Sequence, residues 1–255
     1  MRISVVQPDI VWENKTRNFR KYERMISQLH NPDIVVLPEM FSTGFTASSE
    51  NQGEPPKSET FDWMIHMAEK NSSGICGSYI IKIGHKYVNR FVFVTPEKKS
   101  WFYDKRHTFS MSNVEDNFTP GNKRLVFKFR GFRICPGICY DLRFPVWSRN
   151  RNDYDLLLNS ANWPMARRDV WITLLKARAI ENLSFVAGAN RIGTDGTGTK
   201  YCGDSLIFGP KGEEIASAGM DIECSITADI SLRELKSFRK KFPAHLDADK
   251  FSINL

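Results

Sequence analysis

The sequence predicts an α/β fold in which helices cover more than one β-sheet. Amphipathic segments with helical spacing alternate with short apolar runs along the chain, which is typical of a layered α/β domain. Some strands also occur as adjacent pairs joined by short turns, at residues 75–83 with 87–95 and at 125–129 with 132–138. Because a simple doubly wound sheet does not account for such pairs, we expect at least two sheets.

The elements of the first half follow from apolar spacing. A strand over residues 2–7 is closed by Pro8, and a helix begins at a cap on Asn14 or Thr16 and ends near Leu29. The near-continuous apolar run 33–38 is typical of a strand covered on both faces. After a polar loop at residues 42–58, the predicted elements are a helix from residue 60 and strands at 75–83, 87–95 and 101–103.

A long loop over residues 106–123 precedes the second half, and a loop of more than about 12–15 residues in a compact domain is usually functional or mobile. The elements predicted after it are strands at residues 125–129, 132–138, 155–159, 184–190, 205–208, 214–218 and 225–230, and helices after residue 145 and at 169–182 and 231–241. The Gly-rich segment 193–198 is interpreted as a surface turn, because it lacks the strand-then-helix context of a phosphate loop. Since no repeat or linker divides the chain, we expect a single domain over residues 1–255, with a tail from about residue 242.

Composition excludes several classes of protein. The five cysteines have irregular spacing without a C-x-x-C pair and the five histidines are scattered, so we expect no metal and no cofactor. The cysteine pattern indicates a reducing compartment and a cytoplasmic location. The first apolar run is too short for a signal peptide, and no stretch reaches the roughly 20 apolar residues of a membrane span. The net charge of +7 is spread along the chain, which favours a solvated basic surface over nucleic-acid binding.

Cys139 is the first candidate for chemistry. It ends the apolar run 132–138, and Pro145 suits the first turn of a following helix. A thiol between a strand end and a helix start meets backbone N–H groups, which lower its pKa and make it a candidate nucleophile. A buried core cysteine is the alternative.

Two further residues stand in the same kind of place. Glu39 follows the apolar strand 33–38, and Lys105 follows the strand 101–103. Charged residues often flank strands, but parallel neighbours in a sheet bring such ends to one edge, where ligands bind in open α/β sheets. A carboxylate, an ammonium and a thiol are therefore expected to meet.

These residues resemble the motifs of a known family. Pro38-Glu39, Tyr103-Asp104-Lys105 and the run Cys139-Tyr140-Asp141-Leu142-Arg143-Phe144-Pro145 look like the Glu, Lys and Cys motifs of the nitrilase (carbon–nitrogen hydrolase) superfamily. The resemblance covers most of the chain and, with Ala161-Asn162-Trp163-Pro164, is strongest to the ω-amidases. It implies a four-layer αββα sandwich, usually a homodimer, that releases ammonia from small amides such as 2-oxoglutaramate or 2-oxosuccinamate.

The expected chemistry follows from the weak reactivity of an amide. Cys139 attacks as a thiolate, while Lys105 and the backbone N–H of Tyr140 stabilise the oxyanion. Glu39 moves the proton and then activates water against the thioester. No histidine is required, which distinguishes the site from a cysteine–histidine pair.

Each of the remaining candidate site residues has either a functional or a purely structural role. The family often has a second glutamate, for which Glu115 is the candidate, or Glu115 is a surface residue. Arg143 either binds a substrate carboxylate or forms a structural ion pair, for instance with Asp141. Trp163, Phe45 and Met165 line the pocket or belong to the core.

Three functions remain open at this point. The first is an ω-amidase acting on a small amide with water. The second is another branch of the same chemistry, namely another amidase of the superfamily, a nitrilase, an N-carbamoyl amide hydrolase or an acyl transferase. The third is a non-enzymatic module with a basic surface.

Overall fold

The computed structural model describes residues 1–111, 114 and 117–253. The strands are β1 (Arg2–Gln7), β2 (Ile34–Val36), β3 (Gly74–Ile83), β4 (Lys86–Val94), β5 (Ser100–Asp104), β6 (Phe127–Phe129), β7 (Phe132–Ile138), β8 (Leu156–Ser160), β9 (Phe185–Ala189), β10 (Ile192–Thr194), β11 (Lys200–Cys202), β12 (Leu206–Phe208), β13 (Glu214–Ser217) and β14 (Cys224–Asp229). The α-helices are α1 (Lys15–Ser27), α2 (Ser49–Gln52), α3 (Glu59–Asn71), α4 (Pro145–Ser148), α5 (Arg168–Asn182) and α6 (Leu232–Lys241), and short 3₁₀ helices cover Cys139–Arg143, Met165–Arg167 and Ala244–Leu246.

In the described part of the chain, the strands form two six-stranded sheets and a small ribbon of β10 and β11. The first sheet has the order β14-β1-β2-β3-β4-β5, and the second has the order β13-β12-β9-β8-β7-β6. The central strands of each sheet, β1 to β3 and β7 to β9, run parallel. Their carboxyl ends therefore lie together at one edge of each sheet.

The two sheets pack face to face, because alternate residues of each strand point to opposite faces. Ile34 and Val36 of β2 and Leu158 of β8 belong to the core between the sheets. Val35 packs among residues of α1 and α3, and Leu157 packs among residues of α5. The order of layers is thus helix, sheet, sheet, helix, and the predicted α/β four-layer αββα sandwich is confirmed.

Local chemistry explains where the main helices begin. The side chains of Asn14, Ser58 and Ser231 accept hydrogen bonds from the backbone N–H groups of Arg17, Phe61 and Glu234. Each cap thus satisfies an N–H group that has no partner inside its helix.

Three predicted segments differ from the structure. The Gly-rich segment 193–198, predicted as a surface turn, begins in β10 and connects it to β11, and neither strand was predicted. The loop predicted over residues 42–58 contains the short helix α2, and the turn into α4 is preceded by a 3₁₀ helix that begins at Cys139 itself. Such single turns carry no apolar periodicity, so sequence spacing does not reveal them. Every helix in the described residues is too short or too polar to cross a bilayer.

A buried ion cluster joins α6 to the second sheet. Asp155, which precedes β8, is 3% exposed. Its carboxylate accepts hydrogen bonds from Arg133 Nη2 at 2.8 Å and from Arg239 Nη1 at 2.7 Å. Burial opposes its ionisation, but the hydrogen bonds from Arg133 and the charges of both arginines hold the pKa of Asp155 below its usual value of 3.8.

We expect Asp155→Asn to lower the free energy of unfolding by about 3 kcal/mol at pH 7, because it leaves the buried guanidinium of Arg239 without its carboxylate. Because the folded-state pKa is the lower one, the wild-type advantage is present above pH 3.8 and lost as the pH falls through the folded-state value. Denaturant unfolding at pH values from about 7 down to about 2.5 measures the advantage above pH 3.8 and its decrease below that value. Asp169→Asn is the control, since the Asp169 side chain is 95% exposed; equal losses in both variants would contradict the assignment.

Candidate active site

Hydrogen bonds connect the segment that follows β2 in the first sheet to the end of β8 in the second sheet. Ser160 Oγ donates to the carbonyl of Leu37 at 2.8 Å, and Asn162 Nδ2 donates to the carbonyl of Glu39 at 2.6 Å. The backbone N–H of Glu39 in turn donates to the carbonyl of Ala161 at 3.4 Å. These contacts hold Glu39 at the junction of the sheets.

Glu39 and Lys105 form a buried ion pair. The two residues are 0% and 1% exposed, and Lys105 Nζ lies 2.8 Å from Glu39 Oε1. Asn89 Nδ2 also donates to Oε1 at 2.8 Å, and the backbone N–H of Asn162 donates to Oε2 at 3.0 Å. Several donors thus replace the water that the carboxylate loses on burial.

The strands that carry these residues are not neighbours, contrary to the expectation from sequence. Glu39 follows β2 and Lys105 follows β5, and β3 and β4 lie between them in the first sheet. Strand β5 nevertheless runs in the same direction as β2, because β3 to β5 is an antiparallel meander. Cys139 comes from the second sheet, at the end of β7.

Cys139 sits in a strained turn. Its φ is +44°, in the left-handed region that residues other than glycine and asparagine seldom adopt. Its Sγ lies 3.8 Å from the carbonyl oxygen of Asn162, and the residue is half-buried. The alternative of a fully buried core thiol is therefore wrong for Cys139, whereas Cys135 and Cys202 are buried thiols as expected.

Asp141 ties the turn of Cys139 to the segment that carries Lys105. Its carboxylate accepts from the backbone N–H of Ile138 at 3.0 Å and from Tyr103 Oη at 2.7 Å. It also contacts the backbone N–H and the Nδ1 of His107 at 3.0 and 2.8 Å. Because Tyr103 and His107 flank Lys105 by two residues on either side, one carboxylate fixes both reactive segments.

Burial and the neighbouring Asp141 charge raise the pKa of Tyr103 well above its usual value, so its hydroxyl remains a donor to that carboxylate. The imidazole of His107 stacks on Phe144, with ring centroids 3.7 Å apart. His107 is thus engaged with Asp141 and Phe144.

A cavity of about 360 Å³ opens beside the thiol. Its lining includes six residues singled out in the sequence, namely Phe45, Lys105, Cys139, Tyr140, Arg143 and Trp163. Among the described residues, Pro164, Ala166 and Arg167 contribute to the lining but Met165 does not, which corrects that assignment. Glu115 lies outside the described residues.

Arg143 has no structural ion pair within the described chain. Its guanidinium stacks on the ring of Trp163, with Cζ 5.2 Å from the ring centroid. The carboxylate of Asp141, the expected partner, is instead occupied by Tyr103, Ile138 and His107. The alternative of an Arg143–Asp141 pair is therefore wrong.

Sequence reasoning missed a second wall of the cavity. The Gly-rich turn lies over the cavity, which Asp195, Thr197, Thr199 and Tyr201 help to line. Asp195 accepts hydrogen bonds from the backbone N–H groups of Thr197 and Thr199 at 2.9 and 3.0 Å and from Tyr201 Oη at 2.8 Å. Burial opposes its ionisation, but these hydrogen bonds lower the pKa of Asp195.

The Asp-Gly-Thr spacing was the available signal for a side-chain-stabilised turn, but nothing local places that turn at the site. A side chain at Gly196 would collide with Trp12, so glycine allows the turn to pack there. Asn89 and Asn162, the partners of Glu39, were also missed as site residues. No cluster of His, Cys, Asp and Glu within the described residues has the grouping of a metal site.

We expect iodoacetamide to alkylate Cys139 more than about 100-fold faster than Cys135 at pH 7.5, because the thiolate is the reactive form. Cys139 opens on the cavity, whereas burial raises the pKa of Cys135 to about 12 and that of Cys202 to about 11. Peptide mass spectrometry at short reaction times measures the order of labelling. Faster labelling of Cys135 or Cys202 than of Cys139 would contradict the described exposure.

Known proteins match almost the whole length of the chain. The chain is 43% identical over 253 residues to the omega-amidase YafV of Escherichia coli, covering 99% of this chain and 98% of that protein. It is 31% identical to the 2-oxoglutaramate amidase of Bacillus subtilis, with 97% of each chain covered.

Solved structures show the same architecture. The CN-hydrolase superfamily protein XC1258 of Xanthomonas campestris, which carries an arsenic adduct in its active site, matches with a TM-score of 0.97 at 38% identity, over 100% of this chain and 99% of its own. Nit3 of Saccharomyces cerevisiae shares the fold, with a TM-score of 0.85 at 22% identity and coverage of 95% and 94%. Residues 2–240, which are most of the chain, match the sequence pattern of the carbon-nitrogen hydrolase family. The chain belongs to the carbon-nitrogen hydrolase family.

Proposed function

We propose that the protein is an ω-amidase, which releases ammonia from the side-chain amide of a small 2-oxo acid such as 2-oxoglutaramate or 2-oxosuccinamate. The observation that carries the proposal is one cavity holding a thiol, an ammonium from a buried ion pair and a guanidinium without a carboxylate partner among the described residues. The relatives named omega-amidase and 2-oxoglutaramate amidase support the same substrate class.

The first half of the reaction forms a thioester. The Cys139 thiol gives its proton to Glu39, and the sulfur attacks the amide carbonyl carbon. The resulting oxyanion accepts hydrogen bonds from Lys105 Nζ and from the backbone N–H of Tyr140. This N–H lies in the first turn of the 3₁₀ helix, where backbone donors have no partner inside the helix.

The second half returns the enzyme to its starting state. Glu39 passes the proton to the amide nitrogen, the C–N bond breaks and ammonia leaves. Glu39 then takes a proton from water, whose oxygen attacks the thioester carbon. The C–S bond breaks, the acid leaves, and Glu39 returns its proton to the sulfur of Cys139. The sum is amide plus water giving carboxylate plus ammonium, with no redox change. Glu115 is proposed as the second glutamate, which orients Lys105 or the substrate.

The free carboxylate of the substrate needs a cation. Arg143 faces the cavity, and its stacking on Trp163 holds the planar guanidinium in place for a two-point contact with a carboxylate. Phe45 and Trp163 supply the apolar walls against which the carbon chain of the substrate packs.

A cytoplasmic homodimer completes the proposal. The buried thiols of Cys76, Cys135 and Cys202 suit a reducing compartment. The exposed apolar side chains Val146 and Leu246, at 55% and 74% exposure, support a face that a second copy covers.

An ammonia-release assay over amides, nitriles and N-carbamoyl compounds tests the function. We expect Arg143→Met to raise KM for acidic amides about 10–100-fold, because a charge-assisted contact is lost, and to change KM for neutral amides less than about threefold. Cys139→Ala serves as the inactive reference, and Arg20→Met, on the exposed face of α1, is the matched control.

Equal effects of Arg143→Met on acidic and neutral amides would assign Arg143 to structure. Turnover of nitriles or carbamoyl compounds with no release from 2-oxo acid amides would replace the ω-amidase proposal by another branch of the family.

A further inference from the structure

Arg167 is a second arginine in the same cavity. Its guanidinium lies over the ring of Phe109, with Cζ 5.2 Å from the ring centroid. No ion pair or side-chain hydrogen bond joins it to any other residue that the structure describes. Its neighbour Arg168 differs, since Arg168 donates to both carboxylate oxygens of Asp204 at 2.7 and 2.9 Å. Of these two adjacent arginines, Arg168 therefore stabilises the fold through Asp204, whereas the guanidinium of Arg167 forms no such ion pair with a described residue.

Trp163 contacts both cavity arginines, Arg143 through its guanidinium and Arg167 through its backbone. Trp163 lies under the guanidinium of Arg143, and its Nε1 donates to the carbonyl oxygen of Arg167 at 2.8 Å. Phe109, under Arg167, packs edge-on against Tyr140 at 5.0 Å between ring centroids. Tyr140 and Arg143 are three apart on one 3₁₀ helix, so they share a face. Successive contacts thus run along the cavity wall from Arg143 to Trp163, to the backbone of Arg167, and from the Arg167 guanidinium to Phe109 and Tyr140.

A substrate with one carboxylate neutralises only one of these charges. Because both arginines line one cavity of about 360 Å³, the other guanidinium is available to present N–H donors and a positive charge to another part of the same substrate. An oxygen on C2 can accept those hydrogen bonds. An ammonium on C2 cannot, because it carries only donors and the same sign of charge.

Resting on the proposed function, we propose that Arg167 is a specificity-determining residue that binds the 2-oxo oxygen and excludes the corresponding 2-amino acid amide. Arg143 binds the substrate carboxylate, and Arg167 contacts the substituent on the neighbouring carbon, C2. The site thereby separates a 2-oxo acid amide from an amino acid amide of the same length without any contact to the reacting amide group.

Three substrates that share one skeleton test this assignment: 2-oxosuccinamate, succinamate and asparagine, which differ only at C2. We expect Arg167→Met to lower kcat/KM about 10–100-fold for 2-oxosuccinamate, since a charged hydrogen bond is lost, and less than about threefold for succinamate. We expect kcat/KM for asparagine to stay the same or rise, so the 2-oxo to 2-amino ratio falls at least tenfold.

Arg167→Lys is the second variant, because it keeps the positive charge and so keeps the rejection of asparagine. Arg233→Met, on the exposed face of α6, is the matched control, and the thermal midpoint of each variant monitors folding. An equal fall for all three substrates, or an unchanged ratio, overturns the role of Arg167. Absence of ammonia release from 2-oxosuccinamate by the wild type, with another amide turned over, is a different outcome: it rejects the proposed function and this inference together.

Discussion

The ion pair between Glu39 and Lys105 is the constraint on which the site depends. Both groups are almost fully buried, and removing a carboxylate and an ammonium from water costs several kcal/mol for each ion. The cost is offset only if hydrogen bonds replace water, and the partners that do so come from distant parts of the chain. Asn89 lies on β4, whereas Asn162 follows β8 in the other sheet. The pair therefore exists only when both sheets are formed and packed together.

A second carboxylate, that of Asp141, positions Cys139 and Lys105 although it does not line the cavity. Asp141 is 2% exposed and binds the turn of Cys139 on one side and the segment of Lys105 on the other. A shift of one reactive group thus carries the other with it. The strained backbone of Cys139 is maintained in the same way, because the hydrogen bond from Ile138 to Asp141 fixes the residue immediately before it. The position of the Cys139 thiol relative to the Lys105 ammonium is therefore set by one buried side chain, that of Asp141.

The parts of this arrangement that depend on local sequence could be predicted. Apolar runs identify the strands, and Glu39, Lys105 and Cys139 were found because each follows such a run. The pairing of strands could not be predicted, because it depends on contacts between residues far apart in the chain. This is why β2 and β5 were expected to be neighbours, and why the role of Asn162 toward Glu39 was missed. The turn containing Asp195 is encoded locally, but its place over the cavity comes from packing against Trp12.

The proposed reaction depends on a Cys139 thiolate that forms a covalent bond to the substrate while Glu39 of the buried pair moves the proton. Rapid acid quenching during turnover of 2-oxosuccinamate, followed by peptide mass spectrometry, tests this most directly. We expect an acyl group on the peptide that contains Cys139, formed in the first turnover and gone when the substrate is exhausted. Ammonia release at the full rate with no acyl group on Cys139, or with the acyl group on another residue, would contradict it.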